Sequence, residues 1–160
     1  MIKQTVALGI LGYTFMKFYK KKNNINKIIH QIWFYPQEEI PTNIQKYTSS
    51  ILNINPEYEH IIWDKNKIMH LFEKNFPEYL NYYINLKDDI KRYEVSKYII
   101  LYYYGGIYLD INIECLKPFD DLINDQKFIV GWKNESKYIS SDVIITNKNN
   151  FIIKNIINKL

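Results

Sequence analysis

From Asp88 to Tyr104 the chain runs without a glycine or proline. It then meets Gly105-Gly106 and the short apolar run Ile107-Tyr108-Leu109, which ends at Asp110. This order constrains the fold more than any other stretch. Its first part is long enough for about four turns of helix, and apolar residues thicken from Val95 onward, which predicts a buried second half. The glycine pair stops that helix, as a left-handed C-cap requires. A strand is then predicted to emerge directly at Asp110.

The flanking segments repeat the same alternation. KIIHQIWF (27–34) and YEHIIW (58–63) are short runs rich in β-branched and aromatic residues, which predicts strands. A helix is expected between them from Pro41 to about residue 52, with Asn55-Pro56 as a turn. Asp64 is placed to N-cap a helix through Phe72, and Pro77 opens another. Residues 128–132 and 139–146 read as further strands. Ile152, Ile153, Ile156, Ile157 and Leu160 stand at helical spacing and predict a closing helix. Strand, helix, strand, helix is the rhythm of an α/β fold, here a mixed, mainly parallel sheet flanked by helices. Residues 23–160 make one such domain, with no internal repeat.

Residues 1–22 read as a hydrophobic and basic leader. Gln4 to Met16 carry no charge, and Lys20, Lys21 and Lys22 close the segment. A spanning helix needs about 20 apolar residues; with Lys17 snorkelling, residues 4–19 form a candidate single N-terminal membrane anchor. Membrane association is therefore expected ahead of a soluble state. The net charge is +4, but apart from that cluster the lysines alternate with acids. No basic face with base-reading groups emerges, so nucleic acid is not an expected partner. Cys115 is the single cysteine, which excludes an internal disulfide framework and a cysteine-rich zinc cluster. His30, His60 and His70 have no metal-ligand spacing and read as structural.

Asp110, Asn112 and Glu114 alternate. On an extended segment all three side chains would point to one side. Oxygen-bearing groups at the carboxyl end of a strand, just after a glycine turn, stand where an open α/β sheet binds ligands. A hard divalent cation bridging a diphosphate needs only one or two such protein groups.

The stretch IKRYEVSKYIILYYYGGIYLDINIECLKPFD (90–120) closely resembles the DXD sugar-binding region of glycosyltransferase family 32, the family of α-mannosyltransferases related to the glucosylating bacterial toxins. KIIHQIWF, YEHIIWD and SSDVIITNKNNFIIKNII are similar to its other strand and helix segments, so the resemblance runs from about residue 26 to the C-terminus. It implies a GT-A-like fold, a nucleotide-sugar donor (a UDP- or GDP-sugar), and a glycan, lipid or protein acceptor. It also implies a divalent cation, manganese first and magnesium second, and retention of anomeric configuration. Matched position by position, Trp33 falls on the aromatic packing against the donor base and Tyr108 on a second nucleotide contact. Asp110 matches the first DXD carboxylate, and Asn112 stands at the second position, so both are expected catalytic and metal-binding residues. Glu94 and Lys97 fall where the family holds the donor sugar's hydroxyls, one turn apart on one helix face. Arg92, the one arginine, matches a basic position beside them, and Gly105 and Gly106 complete the expected donor site.

Three features depart from the family pattern. Asn112 offers a neutral carbonyl in place of a carboxylate. Lys97 replaces a planar fork, an exchange that is not conservative at a bidentate site. The chain stops at Leu160, before segments that family members usually carry. The alternative reading is therefore a weak or inactive donor-fold protein that binds nucleotide or glycan, or a membrane-tethered partner subunit.

Overall fold

β1 (Ile28–Ile32) is the strand around which the rest is ordered. Its residues are buried on both faces, so its two polar members, His30 and Gln31, lie inside with the isoleucines. A computed structural model describes residues 25–35, 39–123, 126–133 and 138–160; the leader, with its expected anchor at 4–19, lies outside them. Among the described residues no helix is long and apolar enough to cross a membrane.

The chain continues through α1 (Thr42–Ile54), β2 (Glu59–Trp63), α2 (Lys65–Asn75), α3 (Pro77–Asn85), α4 (Asp89–Tyr104) and β3 (Gly106–Leu109). The short α5 (Asp120–Ile123), β4 (Phe128–Lys133), β5 (Tyr138–Thr146) and α6 (Phe151–Ile157) follow. The strands form one sheet in the order β2-β1-β3-β5-β4. β1 pairs in parallel with β2 and β3, while β5 runs antiparallel to β3 and β4 antiparallel to β5. The sheet is mixed as expected, but parallel and antiparallel pairings balance, because the chain reverses between β4 and β5 without a crossover helix.

Each face of the sheet carries its own core. On one face Ile32, Trp63, Tyr108 and Ile144 pack under α2, α3, α4 and α6. On the other, Ile29, Ile107, Leu109, Val143 and Ile145 pack with Ile51 of α1, Cys115 and Phe119. Three layers result. Local chemistry sets the helix starts: the Asp64 carboxylate accepts from Lys67 N at 2.8 Å, and that of Asp88 from Ile90 N at 2.8 Å. Pro41 sits at the N-cap rather than inside the first turn, and the closing helix ends at Ile157.

The stop at Gly105 differs from the expected left-handed cap. Its N–H does close the helix on Leu101 O at 2.9 Å, but its φ of 65° is joined to a ψ of −159°. That conformation is extended with positive φ, a region open essentially to glycine alone. A left-handed cap would turn the chain back along the helix; this one sends it straight into β3.

His30, fully buried, ties this corner together. Trp63 Nε1 donates to its Nδ1 at 3.1 Å, so its Nε2 carries the hydrogen given to Gly105 O at 2.9 Å. Burial lowers its pKa from 6.5 to about 4, opposed by the Gly105 bond. The unfolded chain therefore binds a proton that the folded one refuses between those values. The stability this histidine contributes is complete above pH 6.5 and is lost as pH falls to about 4. Across that window urea unfolding is expected to lose roughly 3 kcal/mol. His30→Asn should flatten the slope, and an equally steep slope in that variant would refute the assignment.

Candidate functional site

Parallel pairing brings the carboxyl ends of β1, β2 and β3 to one edge, and antiparallel β5 begins at that same edge. Trp33, Asp64 and Asp110 leave the sheet there, and Ser140, Ser141 and Asp142 enter it. Leu109 pairs with Val143, and the next rung is a bond from Asp110 N to Asp142 O at 2.9 Å. Two carboxylate residues thus stand opposite one another on neighbouring strands, an arrangement that is unfavourable unless something positive is close.

The expected extended run Asp110-Asn112-Glu114 is not formed. Ile113 N donates to Asp110 O at 3.1 Å and closes a turn, so the three side chains do not alternate along a strand. The ladder cannot continue, because the chain leaves β3 toward Cys115, which is buried on the α1 face. Asp110 is half-buried at the root of this turn, and Asn112 and Glu114 are exposed on it.

Beneath Asp110 lies a built polar floor. Tyr108, only 2% exposed, lies beside Asp110, and burial first, then the Asp110 charge, pushes its pKa well above the ordinary value. The phenol therefore keeps its proton next to the carboxylate. Lys97, 1% exposed, sets its Nζ 5.0 Å from the Tyr108 ring centre. That Nζ donates to Glu94 Oε1 at 2.8 Å, Ser141 O at 3.3 Å and Ser141 Oγ at 3.1 Å. An ammonium has three hydrogens, and these three acceptors use them. The Glu94 side chain, 43% exposed, is the open end of the pair.

Burial raises the Asp110 pKa above the usual carboxylate range. The Lys97 charge and the neighbouring Tyr108 phenol oppose that rise, while the Asp142 and Glu94 charges add to it.

The aromatic side of the edge comes from β1. Trp33 is half-buried with its N–H on Trp63 O, and its ring meets that of Tyr35 edge-on at 5.7 Å. Phe34 stacks on Tyr93 of α4 at 4.0 Å, and the charge of Asp110 is among the causes raising the Tyr93 phenol. Tyr93 so packs on the aromatic segment and feels the carboxylate's charge. Arg92 turns elsewhere: it pairs with Asp89 at 3.1 Å and donates to Ile84 O, fixing the start of α4 against α3.

Of the residues expected from sequence, Glu94, Lys97, Tyr108 and Asp110 are therefore one connected cluster. Asn112 and Trp33 flank it, Gly105 and Gly106 shape its approach, and Arg92 stands apart. Ser141, Asp142 and Tyr93 were not expected. Asp142 directly precedes the apolar run 143–145, as Asp110 directly follows 107–109, and antiparallel pairing converts that mirror pattern into proximity. Among the described residues no group of three or more His, Cys, Asp or Glu side chains forms a ready cation cage. Asp110, Asp142 and the Asn112 amide are hard oxygen donors, a set suited to a divalent cation whose remaining ligands come from a diphosphate.

Residues 41–129 match the family described as the glycosyltransferase sugar-binding region containing DXD motif. An uncharacterized glycosyltransferase of Acanthamoeba polyphaga mimivirus is 36% identical over 110 residues, covering 68% of this chain and 44% of the relative. Inositol phosphoceramide mannosyltransferase 1 of Schizosaccharomyces pombe is 30% identical over 120 residues, covering 69% and 37%. A mannosyl phosphorylinositol ceramide synthase of Saccharomyces cerevisiae is 31% identical over 124 residues, covering 78% and 31%. The chain thus spans less than half the length of these relatives. Among solved structures, the PaToxG glycosyltransferase superposes with a TM-score of 0.58 at 20% identity, over 84% of this chain and 59% of that one. That likeness shows the fold, a GT-A-like sheet flanked by helices.

Proposed function

The chain belongs to the family of glycosyltransferase sugar-binding regions containing a DXD motif, and from that premise we propose that it transfers a hexose from a nucleotide-sugar donor, with a divalent cation and with retention. The observation that carries this reading is the Asp110 carboxylate, backed by Tyr108 and Lys97 and set opposite Asp142, within the matched segment. Mannose is the first sugar to test, since the printed names of the fungal relatives are those of mannosyl-transferring enzymes. The acceptor is a glycan, lipid or protein.

In this reading Asp110 and Asn112 hold the cation against the donor diphosphate, with Asp142 as a further carboxylate beside them. The cation, manganese first and magnesium second, supplies neutralisation of the charge that develops on the leaving diphosphate. Glu94 presents its exposed carboxylate to hydroxyls of the sugar. Lys97 acts through Glu94, because its own hydrogens are engaged. Tyr108 likewise acts through Asp110, keeping its proton beside the carboxylate. Trp33, half-buried at the edge, is the wall for the nucleobase. With Asp110 and Asp142 given to the cation and Glu94 to the sugar hydroxyls, this reading assigns no separate nucleophile and takes a front-face displacement.

The test is a panel of UDP- and GDP-sugars with and without manganese, read by released nucleotide and by melting temperature. Donor and cation together should raise the melting temperature by mass action; no shift at millimolar ligand would sink the proposal. Asn112→Asp restores the second carboxylate on an exposed turn, where the exchange meets no packing constraint. Manganese affinity in the presence of nucleoside diphosphate should then tighten by roughly tenfold, since ligand charge count tunes such sites. If turnover rises with affinity, the natural chain is a weakened enzyme. If affinity rises without turnover, the binding-only reading, favoured by the neutral Asn112, takes its place.

A further inference from the structure

A second hydrogen-bonded chain reaches Asp110 from the opposite side of the sheet, through side chains that the donor reading does not use. Gln31 of β1 is 0% exposed. Its Nε2 donates to Asp110 O at 3.3 Å, and its Oε1 stands 3.0 Å from His60 Nε2 of β2. The donor and acceptor roles follow from chemistry. A backbone carbonyl only accepts, so the amide nitrogen must face Asp110. The amide oxygen then faces His60, whose Nε2 must carry a hydrogen.

We propose that Gln31, held by His60, is a positioning residue that fixes the direction in which Asp110 presents its carboxylate. Resting on the donor-site reading, this names residues of that site which touch neither donor nor cation.

The geometry supports it at three points. Asp110 is the hinge between β3 and the turn, so its backbone torsions aim its side chain. Its N–H is fixed by Asp142 O of β5, and its C=O is shared between Ile113 N of the turn at 3.1 Å and Gln31 Nε2 of β1. Without Gln31 only a local turn bond would restrain the carbonyl, and a turn on its own moves as a unit. Gln31 is also an expensive way to fill a strand covered on both faces, since a buried amide is tolerated only when both its ends are bonded. An apolar side chain of similar length would pack the same volume. His60 is what stops rotation of the amide: burial restricts the stem of Gln31, and the His60 bond fixes its last torsion.

The experiment uses the full chain with Gln31→Met, His60→Leu and His60→Gln, the last keeping a donor where the imidazole was. Backbone amide exchange is followed in the unliganded protein, and binding of Mn2+ with GDP or UDP by the electron paramagnetic resonance of free Mn2+. Gln31→Met and His60→Leu should speed exchange at the Ile113 amide while those of β4 and β5 hold their wild-type rates. Both should weaken Mn2+ binding by about tenfold, the usual effect of removing an outer partner of a ligand, and His60→Gln should recover most of the loss. Wild-type exchange and affinity in Gln31→Met would overturn the proposal, as would faster exchange spread evenly over the sheet, which marks a merely structural glutamine. If the wild type itself binds no Mn2+ with either nucleotide, the donor-site reading fails. The exchange arm still decides whether Gln31 orders the turn.

Discussion

Asp110→Asn is expected to lower nucleotide-sugar turnover by at least about a hundredfold, the scale for losing a principal electrostatic group at a reacting centre, while leaving the fold as stable as before or more so. The two halves of that expectation have one cause. Burial holds the folded-state pKa of Asp110 above its usual value. A raised carboxylate contributes stability below its unfolded pKa and loses it as pH rises through the folded value. At neutral pH the ionised group is therefore a liability, close to Asp142 and Glu94 and only partly offset by Lys97 and Tyr108. Asparagine removes the charge and keeps the shape. Melting curves at pH 7 should show an equal or higher midpoint for the variant, and the stabilisation by manganese with nucleotide should vanish. A lower midpoint without ligand, or turnover within a few-fold of wild type, would show that Asp110 serves the fold and not the site.

Gly106→Ala should be among the most damaging single-methyl changes in this protein. Gly106 has φ 94°, and an added Cβ would lie 2.5 Å from Ile28 O and 3.3 Å from His30 Nε2. Neither neighbour can give way cheaply. Ile28 belongs to the strand at the centre of the parallel ladder, and His30 is fixed by Trp63 Nε1 and Gly105 O. Backbone strain of this kind costs roughly 1–3 kcal/mol before the clash is counted, so a loss of at least about 3 kcal/mol is expected. Urea unfolding measures it directly. A loss under about 1 kcal/mol, the range of ordinary single changes, would mean that β3 lies further from β1 than the structure places it. Gly105→Ala should behave similarly, since its added carbon would meet the backbone N of Lys148 at positive φ.

Much of the site was legible from residue order. The unbroken run into Gly105-Gly106, the apolar triplet after it and the acid at its end fixed a helix, a stop, a strand and a carboxylate at the strand's carboxyl end. Asp64 announced its helix because a cap is a local interaction, complete within four residues. Glu94 and Lys97, one turn apart on one helix face, form an ion pair that is local in the same sense. What spacing could not announce was which member of that pair would stay at the surface. The answer came from Ser141 and the Tyr108 ring, which surround Lys97 and leave Glu94 at the surface.

The reading of Asp110, Asn112 and Glu114 as one extended face went astray on a similar point. Alternation describes a strand only where a ladder continues, and here Ile113 N turns back to Asp110 O. Likewise glycine at 105 was foreseeable, but not its extended, positive-φ conformation nor the close backbone of residues 147–148 that leaves no room for a Cβ there.

Sequence alone, then, determined most of the elements, their order, the Asp64 cap and the family to which the central motif points, since each depends on neighbours a few residues away. Tertiary structure decided that Asp142 joins Asp110, that Lys97 is spent inside, and that Gln31 reaches across to the turn. Those contacts are set by strand pairing and by which faces are covered, and packing settles both only when the whole sheet is assembled.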